Sequence, residues 1–321
     1  MEYCCPVCRG DLEPAAGGFS CAACVRLFPV VLGFPDFRSG QPTEVDLEQD
    51  SRLAHQLAAA DSSLDFEGLR NLYYELAPEA SEELEALHRG HFDSEAEQAE
   101  RAIGGLGQGE AFLDLGCGMG RYLLAASPRF SKLAGVDAAL FQLVLARKFL
   151  SEHGVEATLL AAEAERLPFA DGAFAAAVGA DLLEHVAEPK AIFREVRRAL
   201  GRDGRYFFAT PNRYRVTAEP HVGLVGLGYL THKTAAVLVK KRLGLDYSSI
   251  RPLSYWGLNR ALRATLPTAV VMLPELGPRE RAAFGIVKRT FAAAYELWRK
   301  IPLLRAPLLL IAPYFEVRCS S

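Results

Sequence analysis

Four cysteines crowd the first 24 residues, spaced Cys5-x-x-Cys8, then twelve intervening residues, then Cys21-x-x-Cys24. Each C-x-x-C pair can turn two thiolates toward one point, and two such pairs supply the four soft ligands of a tetrahedral Zn²⁺ site. No coordination position is left open, so the metal reads as structural rather than catalytic. A disulfide pair or a redox C-x-x-C is the competing reading. The chain opens Met1-Glu2-Tyr3-Cys4-Cys5 without a basic, apolar leader, which argues for a reducing, cytoplasmic compartment. Cys4 is a spare neighbour able to exchange with Cys5, and Cys319 reads as an ordinary thiol near the C-terminus.

The text around the cysteines runs in short apolar stretches broken by Gly and Pro, as in Leu27-Phe28-Pro29-Val30-Val31-Leu32-Gly33-Phe34-Pro35-Asp36-Phe37. These are β-ribbon signals. A segment of residues 1–40 is too short to bury a sufficient core, so metal binding supplies its folding energy. Residues 41–105 change character. Gln41-Pro42 reads as a linker, and Leu53, Leu57, Leu69, Leu72, Tyr73 and Leu76 then recur at helical spacing up to Ala77-Pro78. A second helix is expected from Ser81 through Leu87 and a third from Ser94 to Ile103, before Gly104-Gly105. This segment reads either as a cap over an active site or as a packing spacer.

The full 321 residues suit two domains, with 50% hydrophobic and 23% charged residues. Ile301 to Phe315 is the longest apolar run near the end. Arg305 and three prolines break it, and it falls short of the roughly 20 residues of a bilayer span. The net charge of −3 hides a division: residues 1–185 carry 13 Lys/Arg against 30 Asp/Glu, and residues 186–321 carry 23 against 9. The basic portion could attract anions or an anionic membrane surface, placing a cytoplasmic protein peripheral to the membrane; the alternative is that these charges simply solvate helix faces.

Chemistry enters at Phe112-Leu113-Asp114-Leu115-Gly116-Cys117-Gly118-Met119-Gly120-Arg121, an apolar strand running into a glycine-rich turn and then a helix from Arg121 to Ala126. Glycines let the backbone turn tightly and approach a ligand at the C-terminal end of a parallel strand. The next strand, Leu133 to Val136, ends in Asp137, an acid placed to grip a ribose diol. In the dinucleotide fingerprint a glycine stands where this chain has Arg121. The pattern instead resembles motif I of the class I S-adenosylmethionine-dependent methyltransferases.

The text from Ala162-Glu163-Ala164-Glu165 through Leu167-Pro168-Phe169 to Asp171 and Phe174 is similar to a further segment of that family. The resemblance implies that Glu163 receives the adenine amino group and Ala164 offers its amide to a ring nitrogen. Asp181-Leu182-Leu183-Glu184-His185-Val186 resembles the continuation of the fourth strand, and Asp181 joins the implied cofactor residues. A helix from Pro189 to Leu200 and a strand from Arg205 to Ala209 follow. The front of the chain is similar to the zinc ribbons that precede many bacterial methyltransferases.

The resemblance implies an α/β fold, a doubly wound, Rossmann-like, seven-stranded class I sheet preceded by a small β zinc ribbon and a helical segment. The expected domains are 1–40, 41–105 and 106–321, with an acceptor-side insertion at about 214–265. Further helices are expected at Thr231 to Leu245, which is basic and amphipathic, at Ser254 to Thr265 and at Pro278 to Lys300. Strands are expected at Ala269 to Leu273 and Leu308 to Arg318.

Cys117 reads as a packed side chain. The loop Glu219 to Leu230 is a candidate acceptor wall, and His185, His221, Tyr229 and His232 are candidate bases or substrate contacts. The expected activity is methyl transfer from S-adenosylmethionine to a small or lipid-like acceptor, chiefly O-methylation. RNA methylation is the alternative, disfavoured by the acidic net charge and by Thr210-Pro211-Asn212-Arg213 where an aromatic tetrapeptide would stand. A non-catalytic cofactor-binding protein is a third reading.

Overall fold

The computed structural model describes residues 2–39, 45–77, 82–278, 281 and 286–319. The linker Gln41-Pro42 and the expected helix start at Ser81 lie outside them. An antiparallel ribbon opens the chain, with β1 (Glu13–Ala15), β2 (Gly18–Cys21), β3 (Arg26–Val31) and β4 (Phe34–Pro35) paired in that order. Seven further strands form one sheet. They are β5 (Gly109–Leu115), β6 (Phe130–Asp137), β7 (Thr158–Ala161), β8 (Phe174–Ala180), β9 (Leu200–Pro211), β10 (Ala269–Met272) and β11 (Tyr314–Cys319), in the order β10-β11-β9-β8-β5-β6-β7. Strand β5 lies parallel to both β6 and β8, and β11 lies antiparallel to its neighbours β9 and β10. From β5 the chain winds outward through β6 and β7, then returns to the other side at β8. That reversal makes the C-terminal ends of β5 and β8 a topological switch point, the place where open α/β sheets bind ligands.

The chain makes two compact units: Met1–Ala80, Leu106–Gly179 and Glu188–Tyr206 in the first, and Ser81–Gly105, Ala180–Ala187 and Phe207–Ser321 in the second. In the first, β5 is buried from Ala111 to Leu115, as expected of a central parallel strand. Helices α1 (Leu47–Ala60) and α2 (Phe66–Leu76) start on side-chain caps from Asp46 and Asp65. Helix α4 (Arg121–Ala126) follows the glycine-rich turn, and α5 (Leu140–Glu152) packs against α1. Helix α6 (Pro189–Ala199) buries Ile192, Phe193, Val196 and Ala199, the three-and-four spacing of one helical face.

The ribbon docks on this same unit. Asp36 bridges in parallel to Ala161, and the Phe37 amide donates to the Ala161 carbonyl at 2.7 Å. This covers the outer edge of β7, which would otherwise offer unpaired peptide groups. Phe37 meets the rings of Tyr3, Phe19 and Phe28, with centroids 5.0, 5.6 and 5.4 Å away. Arg9 reaches the Leu167 carbonyl and forms an ion pair with Glu195. The ribbon is therefore built into the fold by side chains on both partners.

Three expectations change in the second unit or at its border. The two helices expected at Ser81 to Leu87 and Ser94 to Ile103 are one continuous helix, α3 (Glu82–Leu106). Gly90 lies within it facing open space, where it costs about 1 kcal/mol against Ala rather than ending the helix, and Gly104-Gly105 lie inside its last turns. The strand expected from Leu308 begins only at Tyr314. Leu308 to Ile311 instead complete a helix that starts with Pro302 at its first position, a place where the ring's fixed φ suits helix entry. The expected Pro278 to Lys300 helix is seen at Ile286–Trp298, with 279, 280 and 282–285 outside the described residues.

These last two helices are α9 (Ile286–Trp298) and α10 (Pro302–Ile311). They follow α7 (His232–Leu243) and α8 (Tyr255–Thr265), which start on Thr231 and Ser254 caps. Gly244, at φ 76°, ends α7. Val222 and Leu227 from the glycine-rich loop pack with Ala235, Val239, Tyr247 and Ile250 in a small core. Much of that loop's apolar content therefore serves packing.

Candidate functional site

In the first unit, the turn after β5 carries Gly116, Gly118 and Gly120 at φ 64°, 47° and 86°. At Gly118 the backbone amide donates to Asp137 Oδ2 at 2.9 Å, and Asp137 Oδ1 accepts from the Ala139 amide at the same distance. The carboxylate closing β6 is thus locked to the turn that follows β5. A Cβ built on Gly118 meets nothing within 4 Å, so the turn borders open space on that side. Asp114, at 1% exposure, lies at the buried end of β5. Burial, reinforced by Asp137 and Asp114, pushes the Cys117 thiol well above its ordinary value, which keeps it a neutral packed group.

Glu163 is 4% exposed, and both its carboxylate oxygens accept from the Ser39 amide, at 2.9 and 3.0 Å. The implied adenine acceptor is thus held from the ribbon side, with Ala164 buried beside it. Arg38 was not legible as a site residue. Its guanidinium binds Asp36, Asp50 and the Ala138 carbonyl, the last next to Asp137. Asp36 stands two residues away, but sequence offered little to link Arg38 to Asp50 and Ala138, which lie 12 and 100 residues off.

The ribbon brings the Sγ atoms of Cys5, Cys8, Cys21 and Cys24 within 4.8 Å of one another, with Cys5 to Cys24 at 3.6 Å and Cys8 to Cys21 at 3.4 Å. Thiolates about 2.3 Å from a tetrahedral Zn²⁺ stand roughly 3.8 Å apart, so this donor set fits the ion. Cys4 is not in the quartet; its backbone amide binds Pro168 and its sulfur faces Arg9.

A second polar cluster lies in the second unit. His221 Nε2 is 3.1 Å from His185 Nε2 and 3.9 Å from Glu184 Oε1. The His221 Nδ1–H donates to Glu219 Oε1 at 2.8 Å, because a carboxylate can only accept. Glu219 is fixed in turn by Arg215 and by the amides of His221 and Val222. Thr210 donates its hydroxyl to Glu184 Oε2 at 2.9 Å. Burial first, and then the Asp181 carboxylate, push Glu184 up to about 7.

Asp181, expected at the cofactor, is paired with His91 Nε2 at 2.9 Å. Burial opposes a charge on His91, but Asp181, Glu95 and Glu184 outweigh it and raise its pKa to about 9. The structure thus brings His185 and His221 together. Tyr229 and His232, read alongside them, bond elsewhere: the Tyr229 hydroxyl, on a 58% exposed residue, binds the Tyr214 carbonyl, and His232 Nε2 faces the Ile250 carbonyl. Glu219, Arg215 and His91 were missed. Only Glu219 left a local trace, as an acid two residues before a histidine in a turn.

Residues 113–208 match the family described as a methyltransferase domain. A ubiquinone biosynthesis O-methyltransferase of Idiomarina loihiensis is 36% identical over 109 residues, covering 33% of this chain and 44% of that protein. An uncharacterized methyltransferase of Bacillus subtilis, YcgJ, is 37% identical over 95 residues, 29% of this chain and 38% of that one. A second ubiquinone biosynthesis O-methyltransferase, from Chromobacterium violaceum, is 30% identical over 145 residues, 42% and 61%. The chain therefore spans about half the length of the curated relatives it matches. The solved YcgJ structure is similar at 22% identity and a TM-score of 0.42, covering 72% of this chain and 95% of that one. Strand order, glycine-rich turn and matched stretch together define a class I S-adenosylmethionine-dependent methyltransferase domain.

Proposed function

We propose that the protein transfers a methyl group from S-adenosylmethionine to an oxygen of a small or lipid-like acceptor. The observation that carries this reading is the lock between Asp137 and the Gly118 amide, beside open space and at the end of the strand where the sheet reverses. Asp114 and the three glycines shape the cradle, Asp137 receives the ribose hydroxyls, and Glu163 with Ala164 receives the adenine edge. When bound, S-adenosylmethionine supplies a sulfonium methyl whose neutral leaving group needs no acid. The protein's tasks are then alignment, exclusion of water and removal of the acceptor's proton. The O-methyltransferases among the relatives support oxygen as the methylated atom and an acceptor of quinone-like character. In the same reading one Zn²⁺ on Cys5, Cys8, Cys21 and Cys24 braces the ribbon.

The test is transfer of labelled methyl from S-adenosylmethionine into a host-cell extract, separated into RNA, protein, lipid and small polar fractions. Label in the lipid or small-molecule fraction, lost with Gly118→Arg, is the expected result. Label removed by ribonuclease would replace this reading with RNA methylation. No transfer together with no cofactor binding would leave a binding protein.

A further inference from the structure

We propose that Glu184 Oε1, His185 Nε2 and His221 Nε2 hold a divalent first-row transition-metal ion, at a site distinct from the four cysteines. Each of the three side chains offers one donor atom, and these atoms lie within 4.8 Å of one another. Metal-to-nitrogen distances of about 2.0–2.1 Å and metal-to-oxygen distances of about 2.0–2.2 Å put neighbouring ligand atoms roughly 3–3.5 Å apart. The separations of 3.1 Å between the two ring nitrogens and 3.9 Å from His221 Nε2 to Glu184 Oε1 sit around that range. Small side-chain adjustments close the difference.

The surrounding bonds prepare these atoms for a cation. Glu219 takes the His221 Nδ1–H, which leaves Nε2 of the neutral ring as a lone pair turned toward His185. A carboxylate behind a histidine is the usual support of a metal-bound imidazole, since it fixes the tautomer and raises ligand basicity. Glu219 is itself held rigidly, at 2% exposure, by Arg215 at 5%. Thr210 occupies Glu184 Oε2 and leaves Oε1 without a hydrogen-bond partner, on a side chain that is 0% exposed. A buried carboxylate oxygen with no donor is costly, and a cation would satisfy it. Two more buried polar atoms nearby lack partners among the described residues: Asp181 Oδ1 and the Tyr314 hydroxyl, on which both Asp181 and Glu184 act electrostatically. Three unsatisfied atoms beside two facing imidazoles describe a place for an ion and its bound water.

Two nitrogens and one carboxylate favour Zn²⁺, Mn²⁺, Fe²⁺ or Co²⁺ over the all-oxygen preference of Mg²⁺ and Ca²⁺. Three protein ligands also leave coordination positions open. This inference rests on the proposed methyl transfer and deepens it. An acceptor hydroxyl entering an open position would lose its proton more readily. As the oxygen–methyl bond forms and the sulfur–methyl bond breaks, that proton passes through water to solvent. A catechol-like or enol-like acceptor, with a second oxygen beside the first, is the class such a site would chelate.

Mn²⁺ is the probe of choice, because the cysteine quartet prefers Zn²⁺. The expected result on the full-length protein, followed by loss of the free Mn²⁺ paramagnetic signal, is one bound equivalent. Glu184→Gln and His221→Gln should each weaken it at least 100-fold, and Glu219→Gln about 10–100-fold. Cys4→Ser should leave it unchanged. Far-ultraviolet circular dichroism and the melting temperature of the same samples, expected to match the parent, establish that each variant is folded. No Mn²⁺ or Co²⁺ bound by the parent, or equal binding by folded Glu184→Gln and His221→Gln variants, would overturn the site. Calorimetric binding of S-adenosylmethionine to the same parent sample separates the two readings: metal bound without cofactor sinks the methyltransferase, and cofactor bound without metal sinks only the ion site.

Discussion

Of the groups of potential metal ligands among the described residues, the cysteine quartet and the Glu184, His185 and His221 cluster are built in opposite ways. The cysteine quartet comes from one stretch of 20 residues, Cys5 to Cys24, uses four identical soft donors and leaves nothing open. The Glu184, His185 and His221 cluster mixes donors, draws on segments 36 residues apart and is backed by Glu219, Arg215 and Thr210. A closed set of thiolates can only hold a fold together. An incomplete set with braced imidazoles retains positions for chemistry. Local spacing thus marks the closed set, and long-range convergence marks the open one.

The largest expected effect breaks the first site. Cys21→Ser should abolish stoichiometric zinc and unfold the ribbon, since structural zinc contributes on the order of 10 kcal/mol to such small folds. Zinc analysis and calorimetric melting check this, and a variant melting like the parent would remove the brace from the comparison. Next, Arg38→Ala tests how far the ribbon's influence reaches. It strands buried Asp50, 3% exposed, and should cost about 3–5 kcal/mol in denaturant titration while weakening S-adenosylmethionine binding. Unchanged cofactor affinity would confine the ribbon to stability alone.

Third, Glu184→Gln should lower kcat by roughly 100-fold or more at saturating cofactor while leaving the zinc of the cysteine quartet in place. A fall in kcat matched by a loss of ribbon zinc would merge the two sites into one.

Fourth comes the acid limb. Burial tends to raise Glu195, but Arg198, Arg9 and the Leu167 amide outweigh it and hold its carboxyl below 4.5. Because the folded value is the depressed one, this stabilisation is present above the unfolded value and is lost as pH falls below 4.5 through the folded value. Glu195→Gln should flatten the fall in melting temperature over that window; an unchanged slope would remove the Arg9 anchor as a contributor. The smallest effect is Cys4→Ser, expected within about 0.5 kcal/mol and with full zinc occupancy.

The parts legible in sequence were those whose partners lie close along the chain. The cysteine pairs and the alternating glycines at 116, 118 and 120 encode their geometry within a few residues, and the strand ends at Asp114 and Asp137 follow from apolar runs. Gly90 and Gly104-Gly105 misled because glycine's cost in a helix is small enough for packing to override. Leu308 to Ile311 misled because a short apolar run suits strand and helix equally, and only Pro302 upstream decides. The pairs His91 with Asp181 and Arg38 with Ala138 join residues 90 and 100 positions apart, and no local period records them.

The docking of Phe37 onto Ala161 sets a schedule for synthesis. The ribbon leaves the ribosome well before β7 exists, and at about 5–20 residues per second the interval is roughly 6–25 s. During that interval the Tyr3 ring lacks Phe169 and the Phe37 amide lacks the Ala161 carbonyl, so the rings of both stand uncovered on that side. A nascent chain that captures zinc early waits as a formed ribbon, whereas one starved of zinc presents the same rings on loose polypeptide to chaperones and to other chains.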